Sequence, residues 1–144
     1  MEAAAGPVII GGGLAGGLLA LALRELGAPV TLIDAPPALA CSATAISYGA
    51  VPGWPLASTP LARLAAGAPG AWRRLQRRHG ALGWRQAALG LHGQNLALRG
   101  LSRLGVLPFG QVDTAVLDQR WPELLAAAGV VCIPAAVERL EPHP

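Results

Sequence analysis

The chain has 144 residues, of which 53% are hydrophobic and 13% are charged, so it is long enough for about one folded domain and is not intrinsically disordered. Its net charge of +3 is modest, and all 11 basic residues are arginine. The two cysteines, Cys41 and Cys132, are too far apart for a metal-binding motif, and the three histidines are scattered. These numbers predict small buried thiols and no metal site.

The first predicted elements form a strand, a helix and a second strand. A short apolar run predicts a strand over about residues 7–11, and leucines at helical spacing predict a helix over about 14–26. Gly27 is well placed to end that helix, with Pro29 just beyond it. A second apolar run predicts a strand over about 29–34.

Glycines occupy the turn between the first strand and the helix. Gly11 permits a tight turn, Gly13 allows a pyrophosphate to approach the backbone, and Gly16 lets the helix pack close to the strand. The free N–H groups at the helix start, those of Leu14 and Ala15 among them, favour negative charge. The pattern therefore predicts a dinucleotide site, against the alternative of a glycine-rich helix start without a ligand.

Asp34 follows Gly11 by 23 residues and ends the second predicted strand. A carboxylate in this position can accept hydrogen bonds from a ribose, which favours FAD or NAD over NADP. A membrane span is the competing interpretation, because residues 8–23 are almost entirely apolar. That stretch contains five glycines, is shorter than the ~20 residues of a span and ends at Arg24 and Glu25, so we predict no integral membrane segment.

Residues 35–58 predict a long irregular segment that begins where the ribose would lie. Long loops in compact domains usually have a function. Small and polar residues in this segment suit a path along a phosphate, and a plain connection is the alternative. The residues concerned are Ser42, Thr44, Ser47, Tyr48 and Gly49.

The next predicted elements are helical. Thr59 and Pro60 predict a helix start, and a helix over about 60–67 is expected to be interrupted by Gly67 and Pro69 before a second helical piece over about 69–79. That piece carries a cluster of arginines at 73, 74, 77 and 78. A solvated helix face explains the cluster better than a nucleic-acid-binding surface, because no nucleic-acid motif accompanies it.

The last third of the chain returns to alternating strands and a helix. Residues 84–99 predict one or two short strands, with a hairpin about Gly93, and 100–110 predict a connector. Asp113 is expected to cap a helix over about 114–128 that Pro122 kinks or breaks. A final strand is predicted over about 130–139, interrupted at Pro134.

Four motifs together resemble the N-terminal part of FAD-dependent oxidoreductases of the D-amino-acid oxidase and glycine oxidase type. The motifs are Gly11-x-Gly13-x-x-Gly16-x-x-x-Ala20 with Gly27 and Asp34, the segment from Ser42 to Gly49, the helix start from Thr59 to Arg63, and Val112-Asp113 before a helix that leads to Val137 and Leu140. The first motif is specific to dinucleotide-binding flavoproteins in general, and the other three are looser.

This resemblance implies FAD as the cofactor and assigns its contacts. The glycines and the acid would bind the ADP half, the loop would follow the pyrophosphate towards the flavin, and the backbone at Val137 would face the adenine. The cofactor-binding residues are then Gly11, Gly13, Leu14, Ala15, Gly16, Asp34, Ala35, Ser42, Thr44, Ser47, Gly49 and Val137.

The implied fold is α/β, a Rossmann-like FAD-binding βαβ sheet that is incomplete. The C-terminal strands and most of the substrate domain are expected to be missing, since such enzymes have about two domains. Residues 1–144 would be the N-terminal part of the FAD-binding domain, with about 60–110 as the start of an inserted helical or substrate segment. The catalytic residues cannot be named, because the family places them mainly in the missing part.

The implied reaction is oxidation of a C–N bond in a small amine or amino acid, with a hydride passed to the flavin. A flavin monooxygenase of the aromatic hydroxylase type is an alternative that residues 35–62 disfavour, because they lack the arginine pattern usual there. A non-catalytic remnant or interaction module is a third. A partner chain could supply the missing half, and the location is predicted to be cytoplasmic, because no leader pattern precedes the first strand.

Overall fold

A computed structural model describes residues 6–36, 42–53, 59–87, 96–97, 100 and 109–141. The chain forms two compact units, unit 1 from residues 1–46 and 118–144, and unit 2 from residues 47–117. The helices and strands in chain order are β1 Val8–Ile10, α1 Leu14–Glu25, β2 Thr31–Asp34, β3 Ala50–Pro52, α2 Pro60–His79, β4 Trp84–Ala87, β5 Phe109–Val112, α3 Thr114–Ala127 and β6 Val131–Pro134.

Unit 1 contains a parallel sheet in the order β1-β2-β6, with α1 between the first two strands in the chain. This is the Rossmann-like βαβ arrangement expected from the sequence. Ile9 and Leu32 pair in register and are buried, and Ile9 faces α1 at Gly16. Parallel pairing needs such a crossover helix, because a tight turn cannot join the ends of two parallel strands.

The other face of this sheet carries exposed aliphatic side chains on its two outer strands. Val8 and Val131 lie in one register row and are 58% and 59% exposed, and Ile10 and Ile133 lie in another and are 51% and 42% exposed. Parallel sheets are usually covered on both faces by packed elements. The exposed apolar face is therefore a surface on which further protein would be expected to pack.

Two helices of unit 1 end in the same way and are joined by one side chain. After α1, Gly27 has a φ of +82° and its N–H donates to Arg24 O, while Ala28 N–H donates to Leu23 O. Gly129 ends α3 with the same pair of bonds, which is a Schellman motif.

The Arg24 guanidinium donates to the carbonyls of Ala28 and Ala128 at 3.0 and 2.9 Å, so its positive charge stabilises the negative ends of both helices.

Unit 2 contains an antiparallel sheet in the order β3-β5-β4 that contacts α2. Gly110 and Val112 alternate with half-buried neighbours along β5, and Gly110 lies against the Trp84 indole. Gln76 of α2 accepts hydrogen bonds from the N–H groups of Leu82 and Trp84 at 3.2 and 3.1 Å. These bonds hold the turn into β4 against the helix.

The expected interruption of the first predicted helical segment at Gly67 and Pro69 is wrong, and of the kink or break expected at Pro122 the break is wrong. Residues 60–79 form one continuous helix through Gly67 and Pro69, and α3 is not broken at Pro122. Proline removes one intrahelical hydrogen bond, but tertiary packing can outweigh that loss. In α2, Pro69 is buried beside Trp72, so the ring itself is part of the packed face.

The strand predictions were right in part. β4 lies within the predicted 84–99 segment, while the hairpin about Gly93 falls outside the described residues. β3 lies in a segment predicted to be irregular, and β5 begins at the end of the predicted connector. β6 ends at Pro134, as the expected interruption predicted, and the Pro134 nitrogen faces away from β2, because the N–H groups of Val131 and Ala135 are the ones that donate to the β2 side. Among the described residues, no helix combines the length and apolarity that crossing a bilayer requires.

Candidate functional site

The turn between β1 and α1 leaves little room for a side chain at two of its glycines, Gly12 and Gly16. Gly11 has a φ of +100° and its N–H donates to Ile33 O at 2.8 Å, which holds the turn at the end of β2. A Cβ on Gly16 would collide with the carbonyl of Gly11. A Cβ on Gly12 would lie 2.6 Å from Asp34 Oδ2, so a side chain there would have to displace the Asp34 carboxylate.

Several backbone N–H groups of this turn have no acceptor among the described residues. Leu14 N–H donates to Thr44 Oγ1 at 2.9 Å, while the N–H groups of Gly13, Ala15 and Gly16 find no acceptor within the described ranges. The first turn of α1 has no acidic residue. Free donors and the positive end of a helix dipole together favour an anion such as phosphate.

Asp34 lies at the carboxyl end of β2, exposed and beside the turn. Its backbone carbonyl accepts from Ala135 N–H at 2.9 Å, which fixes the end of β2 to the segment after β6. Ala35 follows and is half-buried, and Val137 is exposed two residues after Ala135. Among the described residues no donor bonds to the Asp34 carboxylate, which can therefore accept hydrogen bonds from hydroxyl groups at this edge.

Trp121 of α3 reaches the same turn and was not expected from the sequence. Its Nε1–H donates to Gly12 O at 3.2 Å, and its indole lies against Gly17, where a Cβ would collide with the ring. Trp121 is 7% exposed. Gly17 was the sequence feature that could have indicated this contact. A glycine inside a helix lowers the stability of the helix, so its presence suggests that another element packs too closely for a side chain.

The remaining predicted residues have local roles. Ser42 Oγ accepts from Ala45 N–H at 3.4 Å in the short turn that carries Thr44, so Ser42 and Thr44 both belong to unit 1. Ser47 and Gly49 belong to unit 2, where Gly49 N–H donates to Ser47 Oγ at 3.2 Å and Gly49 O accepts from Val112 N–H at 2.8 Å. The structure thus brings seven predicted residues together at one turn: Gly11, Gly13, Leu14, Ala15, Gly16, Asp34 and Thr44.

Unit 2 has a polar cleft of its own, with a volume of about 280 Å³. Arg85 Nη2 donates to Gln111 Oε1 at 2.7 Å on one side of it, and Tyr48 and Asp113 line it as well. The carboxylate of Asp113 is already used, because it accepts hydrogen bonds from the start of α3. The sequence did not predict this cleft, since residues from β4 and β5 meet there only through long-range pairing.

Cys132 corrects the expectation of buried thiols, because it is exposed on β6. Partial burial of the thiol, and secondly the negative charge of Asp34, raise the pKa of Cys132 above its usual value of 9.0. The thiol is therefore protonated at neutral pH and is a poor nucleophile. Cys41 lies outside the described residues, and in the part of the chain that is described no three His, Cys, Asp or Glu side chains cluster as metal ligands.

Residues 8–142 match the model of a protein family described as FAD dependent oxidoreductase (DAO). No curated protein sequence is similar enough to count as a match. The fold is similar to the L-amino acid deaminase from Proteus vulgaris, with a TM-score of 0.65 and 15% identity over 88% of this chain. It is also similar to a glycine oxidase from Bacillus cereus, with a TM-score of 0.63 and 15% identity over 88% of this chain. A third similar structure is an iminodiacetate oxidase from Chelativorans sp. BNC1, with a TM-score of 0.60 and 21% identity over 88% of this chain.

The matched region is less than half of each of these solved proteins. It covers 39% of the deaminase chain and 46% of each of the two oxidase chains. At these identities the likeness concerns the fold alone. The fold it indicates is a mixed α/β fold with part of a Rossmann-like FAD-binding sheet.

Proposed function

The chain belongs to the family of FAD-dependent oxidoreductases, and from that premise we propose that unit 1 binds the ADP half of FAD at the start of α1. One observation carries the proposal. Gly13, Ala15 and Gly16 present N–H groups without acceptors among the described residues, at the positive end of a helix and beside an exposed carboxylate. A diphosphate satisfies such donors, and a ribose satisfies the carboxylate.

The residues of the turn fit this group sterically. Glycines leave the backbone of the turn bare, and among the described residues the Thr44 hydroxyl, at 3.3 Å, is the one group near the Cβ position of Gly13. Thr44 Oγ1 already accepts from Leu14 N–H, so its own hydrogen remains available to a phosphate oxygen. In this proposal Thr44 donates, Asp34 accepts, and the three N–H groups hold the negative charge.

FAD, when bound, supplies an acceptor for two electrons, a chemistry that amino-acid side chains do not supply. The part played by the described residues is to hold and orient the adenine-nucleotide end. We propose further that the complete enzyme oxidises the C–N bond of a small amine or amino acid. Support comes from the family and from neighbours whose names specify an amino acid deaminase, a glycine oxidase and an iminodiacetate oxidase.

The exposed sheet face supports a proposal about the partner. Four aliphatic side chains of β1 and β6 are 42–59% exposed in register on a parallel sheet. We propose that they pack against a partner polypeptide equivalent to the remaining length of the solved relatives. The assignment of residues 60–110 to an inserted substrate segment and the cytoplasmic location stay predictions.

The first experiment measures ADP binding to the purified chain by calorimetry and FAD binding by its visible absorption after desalting. Saturable binding of both ligands supports the proposal, and Asp34→Asn should weaken ADP by more than it weakens inorganic pyrophosphate, which has no ribose. Equal weakening of the two ligands would contradict the role of Asp34. A chain that binds neither ligand would contradict the proposed site.

The partner proposal is tested with a dye that fluoresces on apolar surfaces. The wild-type chain should bind it, and Val131→Thr with Ile133→Thr should reduce binding, because both residues are exposed on the sheet face. Exposed Leu61 and Leu64 of α2, replaced by Thr, are the matched control in unit 2. Equal dye loss in both double variants would argue against a special role for the sheet face, and a self-associated dimer that the sheet variants dissociate would identify a second copy as the occupant.

A further inference from the structure

Trp121 contacts the glycine turn through one hydrogen bond and through its ring. The indole N–H donates to Gly12 O at 3.2 Å, and the ring packs against Gly17 one helical turn further along α1. All three groups belong to unit 1. Trp121 is nearly buried, so this hydrogen bond is shielded from competing water.

This bond fixes the direction of a neighbouring donor. The peptide between Gly12 and Gly13 is trans, since the described residues contain no cis peptide bond. In a trans peptide the C=O and the following N–H point in opposite directions. Holding Gly12 O towards Trp121 therefore directs the Gly13 N–H away from α3, and that N–H is one of the donors left without an acceptor in the described part of the chain.

A glycine turn needs such a restraint more than other turns do. Gly11, Gly12 and Gly13 are consecutive, and glycine loses more conformational freedom on ordering than any other residue. Each peptide that is already oriented reduces the entropy that a ligand must remove on binding. A restraint from a distant helix can therefore raise ligand affinity without touching the ligand.

We propose that Trp121 is a positioning residue for the diphosphate, which acts by orienting the Gly12–Gly13 peptide. This inference rests on the proposed nucleotide site. It predicts that the indole N–H matters for ligands with phosphate groups and does not matter for ligands without them. A purely structural role in the core would change both kinds of ligand alike, through the folded fraction.

The test compares ADP with adenosine in Trp121→Phe. Loss of one neutral hydrogen bond should weaken ADP by about three- to tenfold, while adenosine affinity changes by less than about twofold. Trp84→Phe is the matched control, because Trp84 Nε1 is buried and has no acceptor in the described residues. That control should leave the ratio of ADP to adenosine affinity unchanged.

A shape-matched replacement covers the case in which phenylalanine unfolds the chain. Benzothienylalanine at position 121 keeps the two-ring outline and lacks the N–H, and it should give the same selective loss together with a shifted Gly13 amide resonance. Unchanged ADP affinity in both variants would overturn the inference alone. Wild-type protein that fails to bind ADP would overturn the proposed site and, with it, this role for Trp121.

Discussion

The start of α1 differs from the starts of α2 and α3. Thr59 caps α2 by accepting from Ala62 N–H at 3.2 Å, and Asp113 caps α3 by accepting from Ala115 and Val116 at 3.1 and 3.3 Å. The N-cap residue of α1 is Gly13, which has no side chain with which to cap the helix. Its one hydroxyl partner, Thr44, comes from 30 residues along the chain.

The difference shows where this chain leaves hydrogen-bonding capacity unused. A side-chain cap stabilises a helix by about 1 kcal/mol, so the open start of α1 forgoes stability that α2 and α3 have. Unsatisfied donors at a half-exposed turn are consistent with a ligand that satisfies them when it binds. The following variants test this difference between the start of α1, which has no cap from its own N-cap residue, and the side-chain-capped starts of α2 and α3.

The largest effect is expected from Gly16→Ala, at the open start. The new Cβ would collide with the Gly11 carbonyl, so the turn must shift, with a loss of about 1–3 kcal/mol in the free energy of unfolding and loss of ADP binding. Gly67→Ala in α2 is the matched control, because no atom of the described residues lies within 4 Å of its Cβ position. That control should stabilise the chain by about 0.5–1 kcal/mol. Denaturant unfolding measures the change in unfolding free energy for each variant. If both variants changed stability in the same direction, the packing argument would be contradicted.

A pair of threonines separates ligand binding from capping. Thr44→Val removes the acceptor of Leu14 N–H and should lower both the free energy of unfolding, by about 1 kcal/mol, and the affinity for ADP. Thr59→Val removes the cap of α2 and should lower stability alone. Calorimetry with ADP distinguishes the two. Weaker ADP binding in the Thr59 variant, after correction for the folded fraction, would mean that the α2 cap also affects the site.

Asp113 tests the closed start of α3. Asp113→Ala should cost about 0.5–2 kcal/mol of unfolding free energy, since two N–H groups lose their acceptor, while Asp113→Asn keeps a side-chain oxygen and should cost less. Thermal unfolding of the three proteins gives the order. An alanine variant as stable as the wild type would show that the cap contributes nothing measurable.

The smallest effect is expected for the part of the stability that depends on the protonation of Cys132, whose thiol is influenced by the charge of Asp34. The folded-state pKa is raised above 9.0, so the folded chain holds this proton more tightly than the unfolded chain does. The resulting stability is present below pH 9.0 and is lost as the pH rises through the folded pKa. In a Cys41→Ser background, alkylation of Cys132 at pH 9 should be faster in Asp34→Asn than with Asp34 intact. Equal rates would remove Asp34 as a cause.

The sequence was most informative where a local pattern specifies a local structure. The glycines at 11, 13 and 16, the acid at 34 and the caps at Gly27 and Asp113 each act within a few residues or within one βαβ unit. The predicted bounds of α1 and α3 accordingly lie within one residue of those observed, Leu14–Glu25 and Thr114–Ala127.

What the sequence could not show depends on distant partners. Trp121 and Gly12 are 109 residues apart, and no local sequence pattern predicts the hydrogen bond between them. The three strands of unit 2 are short and pair over long separations, so β3 was assigned to a loop. Pro69 was predicted to interrupt the helix, as proline usually does. Its burial, which depends on how α2 packs in the folded chain, could not be known from the sequence.

The hydrogen bond from Thr114 Oγ1 to the Ser47 carbonyl, at 3.2 Å, has a consequence for the order of folding. It joins the two ends of unit 2, whose residues separate the two parts of unit 1 in the chain. Bringing the ends of a flexible loop of about 70 residues together costs roughly 4 kcal/mol of chain entropy. If unit 2 folds first, the entropy cost of loop closure is offset by the contacts within unit 2. The pairing of β6 with β2 then closes only a short effective loop. In that case the chain would acquire its central segment during synthesis and complete the nucleotide-binding sheet last.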